Sequence, residues 1–522
     1  MKLICESLYA SGYRLARACL SLMAAMVTQG PEAARDVCSH FDLNKKTLYT
    51  LVTKRDSKGV HDVRQAYVQF ALSFLIAGDD STIVQVLEVK EFIPCIFSSG
   101  LKEDRISTVN ILLSTLKTKV VHNKNITKTQ KVRFFTGQLL THIASLYSWN
   151  GITDVNPEDV KVSAEEAGKA MVRELVHNFL TDLCCSLKHG INFYDASLGT
   201  FGRGGNLTLL HFLLGLKTAA DDDLVADLVV NILKVCPDLL KKYFQEVTFS
   251  FIPRVKSTWL NNIKLLNKIY EAQPEISRAF QTREFIPLPR LLAMVMVTTV
   301  PVVCNKSMFT QALNLDSTSV RHTALSLISV ILKRALKTID HCLNKEAWQE
   351  SGMYTAVMME EFVQLFREAL SKILPDLNTV VWVWQSLKKQ ETKQGDEKGK
   401  KRSAGPPAAC EARQCDPGTE RSACSLGVQH AVGCNVVPQP VQLLKDKEPV
   451  ICLYQKVVPH VVMQYNFDFS KLLKGIISEQ GLQEEVPPIL QHHMLKVALE
   501  LPANKFLWLK AQVGSKAPCL LP

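Results

Sequence analysis

The densest run of side chains that could do chemistry is Lys117–Arg133, KTKVVHNKNITKTQKVR. It carries Lys117, Lys119, Lys124, Lys128, Lys131 and Arg133, and no acidic residue interrupts them. Ammonium and guanidinium groups neutralise backbone phosphates, and each such contact adds to a salt-sensitive affinity. The segment is therefore a candidate RNA-binding loop between two helices, set against the commoner occurrence of such charge as a solvated connection. A second basic cluster, Lys398, Lys400, Lys401 and Arg402, is short enough to be read by a nuclear import receptor, or to be generic linker charge.

Other constellations carry less. Gly199–Gly205, GTFGRGG, lacks the Lys-Ser/Thr of a phosphate loop and follows no strand, so it reads as a turn before a helix at Leu207–Leu216. Cys410, Cys415, Cys424, Cys434 and His430 are too widely spaced for a zinc knuckle. The neighbours in Cys184–Cys185 and His492–His493 point apart on a helix, so neither pair makes a shared ligand site. No nucleophile elbow, His-Glu-x-x-His helix or kinase signature occurs. The expectation is a protein that is not an enzyme, with no cofactor, no metal and no small-molecule substrate.

What must position the basic run is helix after helix. Leu313–Ile339 opens with Asp316, Ser317 and Thr318, all good N-caps. Val320, Ala324, Leu327, Ile328, Ile331, Leu332, Ala335 and Leu336 then recur at helical spacing as one broad apolar face. An acidic cap, Val-Arg and a long apolar face suit the inner helix of a HEAT or armadillo repeat. Asp62-Val63-Arg64 is a second copy, within a helix read over Val60–Ala77 and ended by Gly78. Lys102–Val121 reads as one long amphipathic helix, and Leu291–Cys304 as a buried one. Phe-Ile-Pro recurs at Phe92, Phe251 and Phe285, and Pro-Asp-Leu at Pro237 and Pro375, as corners reused in a degenerate array.

With 522 residues, the chain exceeds one ordinary core. At 47% hydrophobic and 21% charged it is not globally disordered. A formal charge of +11 is compatible with a polyanionic partner without requiring one. The 15 cysteines, scattered through apolar runs such as those holding Cys19, Cys95, Cys236 and Cys304, do not form a secreted disulfide framework. The most apolar stretch is too short to span a bilayer, so no membrane association is expected. The fold class expected is all-α, an irregular HEAT/armadillo-like α-solenoid. Its divisions are a repeat domain over 1–387, a disordered linker over 388–445, a further helical-repeat segment over 446–511 and an irregular tail over 512–522. Helical pairs with one broad apolar face bury it by stacking, which leaves a long surface for partners. A peptide-binding adaptor or nuclear transport receptor would share that architecture, but its tryptophan ladder is missing, since Trp149, Trp259, Trp348, Trp382 and Trp384 keep no register.

Several long stretches carry a resemblance: AYVQFALSFLIAGDDSTIVQVLEVKEFIPCIF, TQKVRFFTGQLL, NLTLLHFLLGL and the helix with Val320-Arg321. After the linker it resumes in VICLYQKVVPHVVMQYNFDFSKLLKGIISEQGL and VPPILQHHMLKVALELPANKFLWLKAQ. These resemble the nucleolar pre-ribosomal-associated protein 1 family. The resemblance implies a helical-repeat scaffold of the nucleus and nucleolus, whose partners are pre-ribosomal RNA and large-subunit assembly factors. Family members are longer at both ends, so the chain reads as a truncated or alternatively spliced form. The family offers no catalytic motif to carry over.

Overall fold

The computed structural model describes residues 2–9, 15–55, 62–153, 162–202, 205–275, 285–349, 352–383, 386 and 450–458. Lys398–Arg402, the cysteine-containing linker, His492–His493 and the tail lie outside the described residues.

The first helices are α1 (Lys2–Leu8), α2 (Ala16–Val27), α3 (Pro31–His40), α4 (Lys46–Thr50), α5 (Val63–Ala77), α6 (Asp80–Glu88) and α7 (Pro94–Ser98). There follow α8 (Ile106–Leu116), α9 (Lys128–Phe134), α10 (Gly137–Ala144), α11 (Val162–Cys185), α12 (Leu207–Gly215), α13 (Asp223–Val235) and α14 (Leu240–Glu246). The rest are α15 (Ser257–Glu271), α16 (Leu288–Thr299), α17 (Lys306–Asn314), α18 (Thr318–Leu343), α19 (Lys345–Gln349), α20 (Ala356–Ile373) and α21 (Val450–Val457). No strand occurs among the described residues, so the protein is all-α.

Local sequence sets most of these boundaries. Asp62 caps α5 by accepting from the Gln65 N–H at 2.7 Å, and Asp79 caps α6 by accepting from the Thr82 N–H at 2.8 Å. Thr127 and Gln130 form a capping box at the start of α9. Pro31 and Pro94 sit in the first turn of their helices, where a missing N–H costs nothing. At α18 the expected acidic cap does not form. Ser317 occupies the cap position without a side-chain bond, and Asp316 lies 3.7 Å from Arg321 instead.

The chain divides into two compact units. Unit 1 holds Met1–Phe251, Asn261–Val303 and Lys345–Met358. Within it α2 packs on α5, α5 on α8, α8 on α11, and α11 on α13. One flanking row runs α3, α6, α9, and another runs α7, α10, α12, α14, α16. Each helix therefore meets the counterpart of the next hairpin along the chain, which is how repeats without a private core share a continuous one. Phe70, Phe74 and Phe92 meet at centroid distances of 5.2–6.0 Å in that interior.

Unit 2 holds Ile252–Leu260, Cys304–Asn344 and Met359–Pro522. The 26-residue α18 is its centre, packed by α17 and α21, with Leu327, Ile328, Ile331, Leu332 and Ala335 fully buried. The Tyr454 hydroxyl of α21 donates to the Pro375 carbonyl, and Arg367 of α20 donates to the Lys456 carbonyl at 3.4 Å. No helix of the described residues is long and apolar enough to cross a membrane.

Candidate nucleic-acid interface

The basic run is not a single loop. α8 stops at Leu116 and the backbone widens into a π-helical turn over Lys117–Val121, closed by the His122 N–H donating to the Lys117 carbonyl at 2.9 Å. Such turns are uncommon and gather at functional sites. Here the wider turn keeps Val120 and Val121 in the core while Lys117 and Lys119 stay at the rim. The connection proper is His122–Thr127, tied down where Asn123 and Asn125 both donate to the Asp80 carboxylate, at 2.6 and 2.5 Å. Lys128, Lys131 and Arg133 then belong to α9, not to a loop.

The six cations have different fates. Lys131 is buried, and its ammonium donates to the Val121 carbonyl at 2.6 Å and the His189 carbonyl at 3.2 Å. Burial, and then the nearby Lys128, push its pKa below that of an ordinary lysine. It stitches two segments together and presents no charge to solvent. Lys117 pairs with Asp182 at 2.6 Å, Lys119 reaches the Ile76 carbonyl at 3.4 Å, and Lys128 donates to the Asn192 carbonyl at 3.0 Å. All three keep an accessible surface, and Lys124 and Arg133 are exposed with no ion pair among the described residues.

Those partners bring in a segment that no local pattern associates with the run. The end of α11 and the following turn, Asp182–Asn192, close against it. His122 lies 3.3 Å from Asp182, and its ring stands 5.1 Å from that of His189. Burial pushes the Asp182 carboxyl upward, but bonds from Lys117 and His122 outweigh it and leave it below the usual range. His189 is moved downward too, by burial and by His122, Lys188, Lys131 and Lys124 around it. Lys188, exposed, adds a further cation. The patch therefore joins residues 58 to 67 positions apart, which periodicity and motif spacing do not pair.

Beneath the surface, unit 1 is pinned by an ion cluster. Arg64 is fully buried, and its Nε and Nη2 donate to the Asp104 carboxylate at 2.8 and 2.6 Å. The same guanidinium donates to the Val52 and Ile96 carbonyls at 3.2 and 2.8 Å, and Arg55 reaches Asp104 at 2.9 Å. Trp149 donates its indole N–H to the Asp104 carbonyl at 2.9 Å. This clamp satisfies its own charges internally, which is a structural and not a chemical role. Cys95 and Cys236 are in no disulfide, and burial raises the Cys95 thiol to about 11 and Cys236 to about 12. Such thiols are poor nucleophiles at neutral pH.

The arrangement is that of an all-α helical-repeat protein presenting a basic face built by two hairpins. A family model described as Npa1, ribosome 60S biogenesis N-terminal, matches residues 1–262, half of the chain, and the chain belongs to that family. It is 89% identical over 517 residues to the human nucleolar pre-ribosomal-associated protein 1, and 79% identical to the mouse protein of that name. Each alignment covers 99% of this chain, which spans 22% of the length of those relatives. Among solved structures, an engineered protein aligns over 74% of this chain and 93% of its own at 12% identity, with a TM-score of 0.19, too low to inform the fold.

Proposed function

We propose that this chain is a non-enzymatic scaffold segment acting in the nucleolus in assembly of the large ribosomal subunit, where it binds pre-ribosomal RNA and assembly factors. Family membership supports the process, since the matching model is described by 60S biogenesis. The observation that carries RNA contact is that Lys117 and Lys128 are held at the end of α11 by Asp182 and Asn192, with Lys124 and Lys188 around His189 in the same turn. Cations held in place on a repeat surface meet a polyanion with little ordering cost. Arg133, on α9, extends the charge. Lys131 is excluded from the contact set by its burial.

The adaptor reading draws no support from the tryptophans. Trp149, Trp259 and Trp348 are buried, and Trp382 carries the guanidinium of Arg321 at 5.6 Å from its ring. A groove lined with an exposed Trp ladder is not what these four build.

The test is RNA affinity of the chain as a function of salt, for the native sequence and for a variant with Lys117, Lys119, Lys124 and Lys128 changed to Gln. The slope of log affinity against log salt should become shallower by roughly 0.7–0.9 for each phosphate that is no longer neutralised. An unchanged affinity and slope would remove this face from RNA binding.

A further inference from the structure

The turn that follows α11 does more than receive lysines. Asn192 is buried, donates to the Cys185 carbonyl at 3.0 Å and takes Lys128 on its own carbonyl. The next two residues, Phe193 and Tyr194, are 49% and 55% exposed. Neither ring stacks on another aromatic or carries a cation among the described residues. Large exposed aromatics side by side are costly to leave in water and commonly mark a binding surface.

Their backbone is held firmly. The Cys236 thiol donates to the Phe193 carbonyl at 3.6 Å, and Asp195 accepts from both the Ser197 N–H at 3.0 Å and the Ser197 hydroxyl at 2.5 Å. Asp195 thus spends its carboxylate locally, Asp182 is paired with Lys117, and Asp238 is buried away from the surface. What remains is two open rings directly after Asn192, the residue whose carbonyl holds Lys128. Phe201, farther along the same loop, is already engaged, with the Arg290 guanidinium 3.5 Å from its ring centroid.

We propose that Phe193 and Tyr194 are a stacking platform for unpaired RNA bases, with the adjacent lysines tracking the phosphates of the same strand. The inference rests on the RNA-binding reading above and narrows it to single-stranded RNA. Charge complementarity argues for the polyanion over an apolar peptide. The pairing of a cationic track with rigid aromatic faces is what single strands need, because a duplex hides its base faces inside the stack.

The experiment compares the full chain binding a short oligouridine with an adenine–uracil duplex of the same length, at several salt concentrations. The single strand should bind more tightly. Changing Phe193 and Tyr194 together to Ala should weaken single-strand binding by roughly tenfold or more, leaving duplex binding and the salt slope nearly unchanged. Phe193→Tyr with Tyr194→Phe, which keeps both aromatic faces, should retain the affinity, and the unchanged duplex binding of the alanine variant separates lost stacking from a fold defect. Lys124→Gln with Lys188→Gln should instead flatten the salt slope for both RNAs. If the lysine variant weakens binding and the alanine variant does not, the platform is refuted and the phosphate reading survives. If neither variant changes RNA affinity, both fail. Equal binding of strand and duplex overturns the proposal.

Discussion

Val63-Arg64 and Val320-Arg321 start two inner helices with the same residue pair, one in each unit, yet the two arginines work differently. Arg64 meets an acid that is itself only 7% exposed, in a fork of bonds reinforced by Arg55. Arg321 is also buried, but it donates to the Leu313 carbonyl at 3.1 Å, and its acid, Asp316, is 94% exposed. The Pro-Asp corners reverse the order. In unit 2, Asp376 is in reach of water and pairs with Lys306 at 2.8 Å. In unit 1, Asp238 is 4% exposed and meets no ion-pair partner among the described residues. Burial raises it to about 6, and neither of its carboxylate oxygens has a hydrogen-bond partner among the described residues. A repeated motif thus marks where a helix begins or turns, while the burial of the partner decides what the contact is worth.

That contrast is most easily broken at Asp104. Asp104→Ala leaves Arg64 buried without its counter-ion, and unit 1 should lose about 3–5 kcal/mol in urea unfolding. A loss below about 1 kcal/mol would equate this clamp with a surface pair. Asp238→Asn should act in the opposite direction. The native carboxyl holds its proton up to about pH 6, against an ordinary value of 3.8, so folding binds protons between those limits. Stability falls as pH rises through that window, by about 3 kcal/mol in total, and stays reduced above it. The Asn variant should recover that amount at neutral pH and show a flatter profile across the same window. Arg321→Ala removes one buried bond and the Trp382 contact, with an expected loss of about 1–2 kcal/mol in unit 2. Lys124→Gln should shift stability by no more than about 0.5 kcal/mol, because the side chain is exposed and touches nothing that holds the fold.

Much of this architecture is legible in the chain itself. The caps Asp62 and Asp79, the stop at Gly78 and the apolar face from Val320 onward are local signals, and the helices follow them. Lys102–Val121 is not the one helix its pattern suggests. Leu101–Glu103 forms a separate short turn, and the end of the pattern widens at Lys117, a change of hydrogen-bond register that apolar spacing does not encode. The candidate site is half legible. Charge density picks out the run, but the difference between Lys131 and Arg133 depends on which side of α9 meets the His189 turn. Lys188, Phe193 and Tyr194 have no local signature, because their significance comes from packing against residues far upstream.

If one face of unit 1, built by 117–133 and 182–194, meets RNA, ultraviolet cross-linking of the chain to RNA in cells should show it most directly once the cross-linked peptides are mapped. Adducts should concentrate on peptides containing Lys124, Lys128, Phe193 and Tyr194, and should fall when those residues are replaced. Adducts confined to other surfaces, with these peptides unmodified, would contradict RNA contact at this face.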